Sequence, residues 1–100
     1  MPQLTIVYWR DIPAQVIAKA GRSTAKRVLN ERFEKAIDRA AMRAGLRDTD
    51  SYLAEWRRAD PVECGADLEA EAAALAAKLE AEFSEERLNE YVMAGGKMPA

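Results

Sequence analysis

The chain has 100 residues, of which 49% are apolar, many of them alanine; this length and composition set one domain with a modest core. It carries 15 Lys/Arg against 17 Asp/Glu, divided by position: residues 1–47 are net basic and residues 48–100 net acidic. There is no His and one Cys, which excludes within one chain a thiolate with a histidine base, a Cys/His zinc site and an internal disulfide.

Leu4–Arg10 is dense in β-branched and aromatic residues and reads as a strand. Both of its faces are apolar, with Leu4, Ile6 and Tyr8 on one and Val7 and Trp9 on the other. Either the second face is covered or Trp9 is presented to a partner. Asp11-Ile12-Pro13 reads as a turn, and Ala14–Ala20 as a second strand paired antiparallel with the first. Gly21-Arg22 closes it. Ser23 or Thr24 then caps a helix running to Ala44, with Leu29, Phe33, Ala36, Ile37, Ala40, Ala41 and Ala44 as its apolar stripe. Gly45 ends it. Arg32, Lys35, Arg39 and Arg43 run beside that stripe, and Glu31 stands four residues before Lys35.

Asp48–Ser51 is a loop. Tyr52–Arg58 fits either a short helix capped by Asp50 or a strand. The strand reading is taken, because a third strand makes the hairpin part of a sheet. Asp60-Pro61 breaks the chain. Asp67 caps a second long helix with Leu68, Ala72, Leu75, Leu79 and Phe83 as its stripe, and Glu69 and Glu71 in its first turn. Ser84 caps a short helix holding Leu88, Tyr91 and Val92, which ends at Gly95-Gly96. The tail from Lys97 is expected to fray. The expected fold is α+β: a small antiparallel sheet in the order ββαβα, two long helices packed on one face, and a short C-terminal helix, with an ordered core over residues 3–94.

Three segments carry a resemblance: Tyr8-Trp9-Arg10-Asp11-Ile12-Pro13-Ala14-Gln15-Val16; Arg32-Phe33 with Ala36–Met42; and Asp50-Ser51-Tyr52-Leu53-Ala54-Glu55-Trp56. Over residues 3–92 the chain resembles a family of small bacterial proteins, common in alphaproteobacteria, described only as virulence factor. A similar domain occurs in larger Gram-positive proteins that also carry helical repeats, which this chain lacks. The resemblance implies no catalytic residues and no cofactor. It associates alphaproteobacterial members with corrinoid and folate one-carbon genes, which implies an accessory role beside such enzymes.

The functional expectation is a non-catalytic protein-interaction or accessory module, not an enzyme, with no metal or cofactor. Tyr8, Trp9, Arg10, Arg32, Lys35, Arg39 and Arg43 are the candidate interaction surface, since Trp and Arg are enriched at binding hot spots. The expected partner is a protein, and a second copy of the chain is one candidate. The basic stripe beside strand aromatics also fits single-strand nucleic acid, but the acidic balance, with a pI near 5.2, weighs against it. The acidic face from Glu69 to Glu90 contains no calcium-loop pattern and reads as solvated. Cys64 lies before a helix start, where a thiol can be activated, yet has no partner residue. No run is long and apolar enough for a bilayer and the N-terminus has no basic leader, so a cytoplasmic location is expected.

Overall fold

The computed structural model describes residues 2–46 and 48–99. The chain opens as a meander of three strands, β1 (Gln3–Trp9), β2 (Ile12–Ala20) and β3 (Ser23–Val28). Both turns have two residues, because Trp9 pairs with Ile12 and Ala20 with Ser23. Gly21 in the second turn has φ +58°, a conformation glycine takes without strain. In the first turn Arg10 takes φ +53°, which is uncommon for a residue with a side chain. It is held there from several sides. Its backbone N–H donates to the Glu55 carbonyl at 3.0 Å, and the Asp11 N–H donates to the Gly96 carbonyl at 2.9 Å.

Pro13, expected in the turn, lies inside β2 opposite Tyr8. The register slips between Val7 and Tyr8, leaving Ala14 as the extra residue of a bulge. A bulge is one of the few places where a sheet accepts proline.

Residues 23–28 overturn an expectation. Ser23 and Thr24 do not cap a helix; they begin β3, which pairs with β2 along its whole length. The first long helix, α1 (Glu31–Arg43), starts later, with the Asn30 side chain accepting from the Arg32 N–H. Residues 52–58 belong to both elements considered for them. A short helix, α2 (Thr49–Leu53), is capped by Asp48 rather than Asp50, and β4 (Trp56–Arg58) follows it. β4 pairs with Val7–Trp9. After Asp60-Pro61, β5 (Val62–Glu63) pairs with Gln3–Leu4 on the same edge of β1. The order is therefore βββααββαα, not ββαβα, in an α+β fold with an antiparallel sheet.

The last two helices stand where expected. In α3 (Leu68–Glu82), Asp67 accepts from the Ala70 N–H, and in α4 (Glu85–Met93), Ser84 accepts from the Arg87 N–H. Such caps are each worth about 1 kcal/mol. In the tail, the Met98 N–H donates to Asp11 Oδ2 at 2.7 Å. Ala100 lies outside the described residues.

Facing pairs in the register assign the two sheet faces. Leu4 lies opposite Ala18, Ile6 opposite Val16, and Ala18 opposite Ala25. This face meets Ala72, Ala76 and Leu79 of α3, which packs on β2 and β3. α1 packs on α4 and on β2 instead of lying beside α3 across the sheet. The opposite face carries Thr5, Val7, Gln15, Ile17, Lys26, Val28 and Arg58. Val7 is buried yet belongs to no part of the main core, and Val28 is 71% exposed.

At the hairpin end, Trp9 is wholly buried. Its indole N–H donates to the Tyr52 carbonyl at 3.0 Å, and its ring stacks on Tyr52 at 5.7 Å. Gly96, at φ +95°, passes so close that a Cβ there would lie 2.5 Å from the indole. Trp9→Ala should therefore cost about 3–5 kcal/mol, and Gly96→Ala about 2 kcal/mol or more. Chemical denaturation checks both; a Gly96→Ala midpoint equal to that of the native chain would contradict this packing.

Candidate functional site

A groove of about 310 Å³ opens where α1 and α2 meet the uncovered sheet face. Its apolar wall is Val28, Leu29 and Ile37, and its aromatic wall is Tyr52 and Trp56. Gln15 reaches in from β2, and Glu34 and Asp38 line it from α1. Gln15 and Trp56 also line a shallower depression of about 430 Å³ with Val7, Arg57 and Arg58. The two adjoin at Gln15 and Trp56, with carboxylates lining the groove and arginines the depression, and together they make up the trough of the open face.

Each wall has a local cause. The bulge at Ala14 re-aims the end of β2, and the Leu29 N–H donates to the Ala14 carbonyl at 3.0 Å, which carries the chain from β3 into α1. Helical spacing then sets Glu34 and Asp38 one turn apart on the same side as Ile37. Trp56 lies opposite Trp9 in the ladder, and its ring meets Tyr52 edge-on at 6.1 Å. Burial pushes the Tyr52 phenol above its ordinary pKa, and the charges of Asp38 and Glu34 add to the rise. The carboxylates and the phenol line the same groove. Among the described residues no cation lies within ion-pair distance of either one, whereas Glu31, Glu55 and Asp11 are each paired.

Burial, and next the Glu71 charge, raise the Cys64 pKa, the reverse of an activated thiol. Among the described residues no group of three or more His, Cys, Asp and Glu could hold a metal ion, and no helix is long and apolar enough to cross a membrane.

A family model described as Virulence factor matches residues 7–92, from Val7 in β1 to Val92 in α4. The chain belongs to the Virulence factor family. No curated protein and no solved structure matches it. The matched span of this Virulence factor domain includes every residue of the trough.

Of the residues singled out in the sequence, Arg32, Lys35 and Arg39 line one groove between α1 and α4. Trp9 is enclosed in the core, so it presents nothing to a partner. Tyr8 is half-buried with the Arg57 guanidinium 4.5 Å above its ring. Arg10 donates to the Gly95 carbonyl at 2.9 Å and to Glu55 at 3.2 Å. Arg32 donates to the carbonyls of Glu80 and Phe83 at the end of α3, and Arg43 donates to the Met93 carbonyl at the end of α4. Arg39 donates to Asn89 Oδ1 at 2.9 Å. Lys35 instead stands beside Glu31 of its own helix at 3.5 Å. The arginines of the stripe are thus tied to polar groups of α3 and α4, although Arg39 and Arg43 stay exposed.

The trough itself was not found in the sequence. Its one local signal is the pair Glu34 and Asp38, like charges four residues apart on an otherwise basic helix. Such a pair destabilises a helix slightly.

Two measurements follow. Arg32→Met should lose about 1–2 kcal/mol, since it abandons α3 carbonyls at the negative end of the helix dipole. Lys35→Met should stay within about 0.5 kcal/mol. In a carbon-detected NMR titration of labelled tyrosines, Glu34→Gln with Asp38→Asn should lower the Tyr52 pKa, leaving it above the ordinary value because burial is the larger cause. An unchanged Tyr52 titration would separate the carboxylates from the phenol.

Proposed function

We propose that this domain is a non-catalytic protein-interaction module that engages its partner through the trough on the open sheet face. The observation that carries this reading is Trp56: an aromatic side chain only partly covered, fixed edge-on to Tyr52, at the junction of both halves of the trough. Rigid aromatic side chains in concave, partly apolar surroundings are the common anchors of protein interfaces. The trough is shallow and open along its length, which suits an extended segment of a partner better than an enclosed small substrate. The arginines of the basic stripe on α1, by contrast, donate to α3 and α4 of the same chain, which leaves nucleic-acid binding with less support.

The test is affinity capture from an extract of the protein's own cells with three baits: the native domain, Val28→Arg and Glu90→Lys. Val28 is exposed at the lip of the trough, and Glu90 lies on the outer surface of α4. A partner should be retained by the native and Glu90→Lys baits and lost with Val28→Arg. Recovery of corrinoid- or folate-dependent one-carbon enzymes in that pattern would assign the accessory role. Retention indifferent to Val28→Arg would remove the trough as the binding surface.

A further inference from the structure

We infer that the groove end of the trough receives a lysine or arginine side chain carried on an extended segment of the partner protein, an inference that rests on the interaction reading above. The groove combines two features that together select an organic cation with an apolar stem. The first is a pair of carboxylates, Glu34 and Asp38, facing the same space with no ion-pair partner among the described residues. The second is the wall of Tyr52 and Trp56, whose ring faces attract cations, continued by Val28 and Ile37, against which methylenes can lie. A hydrated metal ion has no use for the apolar wall. A purely apolar peptide would leave two carboxylates facing it without compensation.

Charge along the trough extends the argument from a single side chain to a segment. From the groove, Gln15 and Trp56 lead to the depression at Arg57 and Arg58. Arg57 is engaged with the Arg10 carbonyl and with Asp11, while Arg58 is exposed and makes no ion pair among the described residues. The trough is therefore dipolar. Its complement is a stretch of chain with a basic residue at one end and an acidic residue several positions away, which only a polypeptide supplies at that spacing. The cost of holding Glu34 and Asp38 together on α1, with no ion-pair partner among the described residues, is then offset when the partner's cation binds.

The experiment is selection from a displayed library of random twelve-residue peptides against the full chain, followed by fluorescence-polarisation titration of the selected peptides. The expected outcome is a shared Lys or Arg flanked by apolar residues, with binding at least ~10-fold weaker to the Glu34→Gln/Asp38→Asn double variant. Glu86→Gln/Glu90→Gln, which makes the same change in net charge on the far surface, should leave binding within ~2-fold. Val28→Arg should abolish it. These four positions are exposed, and Val28→Arg provides a second route to the answer if the double variant does not fold. Peptides lacking a basic residue but lost on Val28→Arg overturn the cation proposal and leave the interaction reading standing. Peptides indifferent to Val28→Arg, or no enrichment at all, overturn the cation proposal and count against the trough as well. Light scattering adds a last outcome: a dimer that Val28→Arg converts to monomer shows that a second copy fills the trough, and overturns the proposal.

Discussion

The burial of Trp9 at the tip of the β1–β2 hairpin is the constraint on which the remaining structure hangs. One side chain joins four parts of the chain: its own strand, the α2 turn through Tyr52, the edge strand through Trp56, and the C-terminal turn through Gly96. The strained Arg10 beside it is affordable only because its backbone and guanidinium both find partners in those same segments. In a domain whose helices are rich in alanine, few other side chains are large enough to do this. The two aromatic residues of the trough owe their positions to the same centre, since Tyr52 stacks on Trp9 and Trp56 lies across the ladder from it. A weaker hairpin tip would loosen the trough without touching its lining.

The division of charge along the sequence resolves into helix-end chemistry more than into ion pairs. Arg32 and Arg43 do not reach for carboxylates; they reach for backbone carbonyls at the C-terminal ends of α3 and α4. Those carbonyls carry the negative end of each helix dipole and lack partners within their own helices. Guanidinium groups also lie over aromatic rings, Arg32 over Phe33 at 5.0 Å and Arg87 over Phe83 at 5.4 Å. The basic half of the chain thus staples the acidic half in place, helped by the Asn30 N–H on Glu80 and by the exposed pair Arg27–Glu69.

How far this was legible in the sequence depends on where each signal resides. The caps at Asp67 and Ser84 and the stripes of α1 and α3 were readable because a helix is specified by residues three and four apart. β3 was not, because Ala25 is its only buried residue, so it shows no alternation of period two. Ser23 and Thr24 after a glycine look locally like a helix start. What makes them a strand is the unfilled edge of β2, which is information from elsewhere in the chain. The helical spacing of the basic stripe is legible locally, but the groups it bonds to lie in α3 and α4, about fifty residues away. The groove was invisible for the same reason: Glu34 and Asp38 gain meaning only beside Gln15, Val28 and Trp56.

That contrast bears on why the second sheet face stays open at all. Here α3 covers the face of Leu4, Val16, Ala18 and Ala25, and among the described residues no second long helix lies along the other. The other face is made tolerable to water by Thr5, Gln15, Lys26 and Arg58, with Lys26 on the edge strand also discouraging indiscriminate pairing. Such a face needs no apolar floor for folding. Val28, 71% exposed, therefore contributes little to the core, Trp56 packs against it with only part of its surface, and the like-charged pair on α1 contributes nothing to it. Residues that the fold does not need, set together where the fold leaves room, are the part of the surface whose chemistry is free to be shaped by a partner.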